Sequence, residues 1–226
     1  LFGLIGYLIF IHFNYNILAE LFINILFVVI FLLMSHYPNV KLNNVVYGSI
    51  LPLQLSISAT LFFYFYPNLS YLFKVGALAG FTLLYYIVAF VDNVFFVVQG
   101  REEQIPLYRV ASTWAQILSV VMAIPLYASI SKFNLLFYWQ GFLIFISSIL
   151  FSIYQFWVLS FDTYMKKAKG LEYILLNVLV GFLVLIASFS VSFLPTESFL
   201  RALFIASVLM FGLNYTQSHL KNDIND

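Results

Sequence analysis

Two side chains stand where their chemistry is costly. Asp92 lies in "YYIVAFVDNVFFVV" and Arg109 in "IPLYRVASTWAQ", each inside an apolar run. A carboxylate left unpaired in lipid costs about 2–3 kcal/mol, less near the interface. A cation in the first turn of a helix also opposes the helix dipole. Each residue therefore calls for a partner. The short polar stretch "QGREEQ" separates the two runs, which makes them adjacent and antiparallel. Asp92, six residues before Val98, sits about 9 Å from the end of its run. Arg109 reaches in from the same side. Asp92 and Arg109 thus form a candidate buried ion pair or substrate contact. The charged loop of Arg101, Glu102 and Glu103 supplies alternative partners for Arg109.

Other chemistry is sparse. The histidines, His12, His36 and His219, fall in three distant segments, and no His-Glu-x-x-His occurs. There is no cysteine, so disulfides, thiolate metal sites and cysteine nucleophiles are excluded. No phosphate-binding glycine motif is present, and no metal or cofactor is expected. Glu102-Glu103 followed by Arg109 invites comparison with the Glu-Glu-x-x-x-Arg of CAAX-type intramembrane proteases. Leu107 stands where that motif has its arginine, Pro106 interrupts the helix it needs, and no histidine follows within an apolar run. An enzyme using Asp92, Glu102 or Glu103 at a membrane surface is the least favoured reading.

The elements that must hold these residues are membrane helices. The 226-residue chain is 63% hydrophobic and only 8% charged, against about 25% charged in soluble domains. Its surface must therefore face lipid. Helices are the default for apolar runs of about 20 residues, because lipid offers the backbone no partners. Runs and breakers predict an all-α polytopic bundle, one domain over 1–226, with about eight spans. These are 1–13, 17–34, 45–66, 75–98, 106–130, 135–160, 171–194 and 199–215. The first is incomplete, and a chain beginning at Leu1 reads as truncated or processed. Pro106 suits a first helical turn, whereas Pro125, in the second Ile-Pro-Leu-Tyr, should cost its helix a hydrogen bond.

Lys41, Arg101, Arg109, Lys166, Lys167, Lys169 and Lys221 gather on one side, against Lys74, Lys132 and Arg201 on the other. The positive-inside rule makes the first side cytoplasmic, with both termini there. Lys166, Lys167 and Lys169 should then meet anionic lipid headgroups. Nothing in the net charge of +1 points to nucleic acid. The sequons at Asn68 and Asn214 matter only on a eukaryotic secretory route.

Several spans carry polar or small stripes. The fifth has Arg109, Ser112, Gln116, Ser119 and Ala123 on one face; the sixth has Gly141, Ser148, Ser152 and Gln155; the seventh has Asn177, Gly181, Ser188 and Ser192. The third carries Gly48, Pro52, Gln54, Ser56 and Ser58, and the fourth Gly76-x-x-x-Gly80. Such faces let helices approach closely and bond across interfaces. They also suit a path for a solute or lipid. The stretch "REEQIPLYRVASTWAQ" resembles an uncharacterised family of multi-span bacterial membrane proteins. That resemblance implies a bacterial plasma membrane and supplies no activity. The leading expectation is a non-enzymatic accessory or scaffold component of a membrane complex, with lipids and other membrane subunits as partners. The alternative is a small-solute or lipid transporter using the polar faces of the third, fifth, sixth and seventh spans.

Overall fold

A computed structural model describes residues 21–26, 28–30, 42–101, 106–162 and 170–221. The described residues are helical, with no strand among them. Six long helices follow the third to eighth expected spans: α1 (Leu42–Phe65), α2 (Tyr71–Arg101), α3 (Pro106–Ile130), α4 (Phe137–Leu159), α5 (Gly170–Ser192) and α6 (Ser198–Leu220). All six are long and apolar enough to cross a membrane. The expected first span lies outside the described residues. Of the second, 21–26 and 28–30 are helical, and Asn24 Nδ2 donates to Thr60 Oγ1 on α1 at 2.9 Å.

The breakers end helices where proline or polar loops intervene, but not everywhere expected. α2 runs beyond both expected ends, through Gln99 and Gly100 to Arg101. α6 likewise continues past Tyr215 to Leu220. Pro125 lies inside α3, which continues through it. Gly170 opens α5 with φ 34°, a backbone region that glycine enters without a steric penalty.

α3 to α6 form a closed antiparallel ring: α3 packs on α4, α4 on α5, α5 on α6, and α6 back on α3. α1 packs against α3 and α4, and α2 against α1 and α3. α3 is therefore the hub. Close approach rests on glycines. A β-carbon at Gly181 of α5 would lie 2.7 Å from Ile149 Cγ1 on α4. One at Gly141 would collide with the Phe189 ring. Side-chain contact of this kind, rather than escape from water, is what holds helices together in lipid. The outward faces carry large apolar residues such as Leu72, Tyr86, Phe182 and Phe211, as a lipid-facing surface requires.

The helix ends opposite the α2–α3 connection are tied by side chains. Lys132 stands 3.5 Å over the Tyr66 ring, Tyr66 pairs with Ser198 at 2.9 Å, and Arg201 Nη2 donates to the Leu194 carbonyl at 2.8 Å. At the other end Glu172 and His219 approach to 3.3 Å and join α5 to α6.

Candidate functional site

The register of α1 and α2 is set at Gly48, where a β-carbon would lie 2.7 Å from Phe96 Cζ. One turn along each antiparallel helix brings Asp92 level with Pro52. Proline has no N–H to give the Gly48 carbonyl, so α1 lacks one helical hydrogen bond at this level. Asp92 is buried, at 4% exposure. Tyr154 of α4 donates its hydroxyl to Asp92 Oδ1 at 2.7 Å. Asp92 Oδ2 has no hydrogen-bond partner among the described residues.

Rings close this carboxyl off from the α2–α3 end of the bundle. Phe95 meets Tyr108, Trp157 and Phe161 at centroid distances of 6.0, 5.8 and 6.3 Å. Trp157 also packs on Tyr154, Phe161 and Tyr47, at 5.8, 5.2 and 6.3 Å. The Tyr108 hydroxyl donates to the Val158 carbonyl at 2.9 Å, which pins α3 to α4 beside the plug.

The expected Asp92–Arg109 ion pair is not formed. Tyr108 takes the inward face of α3 at that level, so Arg109, one residue on, is turned about 100° away and is exposed. The Arg109 carbonyl accepts hydrogen bonds from Ser112 and Thr113. Asp92 takes a phenol from α4 in place of a guanidinium from α3. The side chain of Arg101 and all of Glu102, Glu103, Lys166, Lys167 and Lys169 lie outside the described residues.

A polar seam continues along α4. Ser147, Ser148, Ser152, Tyr154 and Gln155 are all buried, over roughly 12 Å of helix axis. Gln54 of α1 donates to the Ser147 carbonyl at 3.0 Å, and Tyr127 of α3 pairs with Ser148 at 2.8 Å. Toward α5 the seam is less satisfied. Gln155 is 1% exposed, yet neither its Nε2 nor its Oε1 has a partner among the described residues. The same holds for Ser152 Oγ and Asn177 Oδ1. Asn177 lies between Gly181, which meets Phe145 and Ile149, and Tyr173, whose ring meets Phe156 at 5.2 Å. That register sets Asn177 level with Ser152. Phe156, Leu159, Tyr173, Leu176 and Leu220 form a separate apolar cluster beyond these amides.

The polar residues of the fifth expected span part company. Ser119 is fully buried and bonds its own helix at Ala115; Gln116 Nε2 donates to exposed Asn214 Oδ1 at 2.7 Å, across to α6; Ser112 is half-buried. Ser58 of the third expected span is buried as well. Tyr154, Tyr108 and Tyr127 also belong to the interior, and the sequence marked none of them as a site. Among 16 tyrosines nothing local separates those three. The repeated Ile-Pro-Leu-Tyr was a signal of a kind: both of its tyrosines bridge α3 to α4.

Among the described residues no group of three or more His, Cys, Asp or Glu is placed to hold a metal. No family model matches the chain, and no curated protein or solved structure does. The fold itself defines the class: an integral, multi-span α-helical membrane protein whose interior carries a buried carboxyl and a run of hydrogen-bonding side chains.

Proposed function

We propose that the protein binds and transfers a neutral hydroxyl- or amide-bearing solute, or a lipid headgroup of that chemistry, within the bilayer. One observation carries this reading: Ser152, Gln155 and Asn177 bury four polar atoms that no described residue satisfies. A buried donor or acceptor without a partner costs about 1–3 kcal/mol. Packing alone gives no reason to keep three such side chains at one level of an apolar bundle. Together they offer donors and acceptors and no charge, which suits a neutral polar guest. The membrane in question is the bacterial plasma membrane, with about eight spans and both termini cytoplasmic. The loop lysines and the resemblance of the Arg101–Gln116 stretch support that placement.

The test is thermal stabilisation of the full chain in lipid nanodiscs against polyols, sugars, amides and matching headgroups. One class should raise the melting temperature of the wild type and leave Gln155→Leu/Asn177→Leu unmoved. A ligand at 100 times its Kd adds about 2.7 kcal/mol. No response to any class, with a double variant more stable than the wild type, would overturn the reading.

A second reading, a subunit of a membrane complex, is favoured by α2. Gly76 and Gly80 are exposed, and a β-carbon at either would meet no described residue within 4 Å. This is the surface on which a partner helix could approach closely. The mass of the purified particle in mild detergent tests it. A particle larger than one chain that shrinks in Gly76→Leu/Gly80→Leu supports it, and a lone chain in both removes it.

A further inference from the structure

We propose that Asp92 is a proton-binding site, closed toward the α2–α3 end of the bundle by the Phe95–Trp157–Phe161 plug. Three features of the geometry point there. Asp92 Oδ2 is buried and no described residue donates to it. Its other oxygen is already held by the Tyr154 hydroxyl at 2.7 Å. No cationic side chain among the described residues pairs with it, since Arg109 points outward.

The groups facing Asp92 decide which cation fits. On α1, which Pro52 brings level with Asp92, the described part has no charged residue, and Tyr47 stands further along the helix. On α2 itself Tyr85 interacts with the carboxyl. α3 contributes Tyr108 and, turned away, Arg109. α4 contributes Tyr154 and has no charged residue along its length. Asp162 follows α4 and acts on Tyr108. A metal cation needs several oxygen ligands at once. Among the described residues the Tyr154 hydroxyl is the side-chain oxygen bonded to Asp92. A proton needs only the free lone pair of Oδ2.

Binding is a simple addition. A proton passes from a hydronium ion to Oδ2: one hydronium O–H bond breaks, the Oδ2–H bond forms and a neutral water is left. The side chain passes from anionic to neutral, and Tyr154 keeps its hydroxyl hydrogen and goes on donating to Oδ1. The Phe95, Trp157 and Phe161 rings stand between Oδ2 and water at that end. A role as the coupling ion rests on the solute-transfer reading; the binding site does not.

Infrared difference spectroscopy of the full chain in nanodiscs, between mildly acid and mildly alkaline buffer, tests the proposal. A protonated-carboxyl C=O stretch should appear on the acid side and be lost in Asp92→Asn. In Tyr154→Phe the same band should remain but shift to higher frequency, because no hydrogen bond then weakens the C=O. A wild-type spectrum identical to that of Asp92→Asn, or a band unmoved in Tyr154→Phe, overturns the assignment. Sodium added at fixed pH should change nothing, and a matching difference spectrum induced by sodium would make this a metal-cation site instead. The solute screen reads Gln155 and Asn177, so either proposal can fail while the other stands.

Discussion

Asp92 shows how a single side chain is placed by competition for one inward position. Tyr108 fills the inner face of α3, Arg109 is left outside, and the carboxyl takes its hydrogen bond from Tyr154. Contacting residues share an interaction energy of about 0.5–3 kcal/mol, whereas independent sites add within about 0.5 kcal/mol. In thermal or denaturant unfolding in detergent, Asp92→Leu and Tyr154→Phe should therefore be strongly non-additive. The pair Asp92→Leu and Arg109→Gln should be additive. Arg109→Gln alone should be mild, as for an exposed charge. Tyr154→Phe should cost about 1–3 kcal/mol, because it leaves a buried acceptor without its donor. Non-additivity between Asp92 and Arg109 would show that the guanidinium does reach the carboxyl.

At the scale of helices, glycines with the same sequence signature do opposite things. Gly181 admits Ile149 and Phe145 of α4, while Gly76 and Gly80 on α2 meet none of the described residues. Overpacking a filled seam costs about 1–3 kcal/mol. Gly181→Val should thus lower the unfolding temperature clearly. Gly80→Val should leave it nearly unchanged or raise it, since valine loses less backbone freedom than glycine on folding. Equal loss in both variants would mean that α2 carries a packed neighbour on its open face. The two tyrosines of the repeated tetrapeptide make a matched pair. Tyr127→Phe leaves Ser148 with its bond to the Ile144 carbonyl, and Tyr108→Phe leaves the Val158 carbonyl with its 3.3 Å bond from the Phe161 N–H. Each change should therefore cost only about 1 kcal/mol, the net worth of one hydrogen bond, in the same assay.

For the whole molecule, the antiparallel ladder puts 131–136 at one end of the bundle and the connection between α4 and α5 at the other. In the proposed orientation the second end is cytoplasmic, as the positive-inside rule would have it. A cysteine at exposed Asn134 should react with an impermeant thiol reagent in intact cells, and one at Ala168 only after permeabilisation. The chain has no native cysteine to confuse the readout. The reverse pattern would invert the orientation and place the aromatic plug toward the outside.

The helices themselves were legible in the sequence. Lipid satisfies no backbone group, so every long apolar run had to become a helix, and prolines and polar loops marked most of the ends. The six described helices follow the expected spans closely, with α2 running on to Arg101 and α6 to Leu220, past their expected ends. Several interior residues were legible too: Gln155, Asn177, Gln116 and Asp92 stood out as polar side chains in apolar runs. Their partners did not. Asp92 bonds a residue 62 positions away, Gln54 one 93 positions away and Gln116 one 98 positions away. Periodicity gives the face a residue occupies on its own helix, but not the rotation or depth of the helix opposite. In lipid those are decided by which bulky side chains fit against which glycines. Tertiary packing alone therefore chose Tyr154 over Arg109, turned Gly76 and Gly80 outward, and left Gln155 buried with no partner among the described residues.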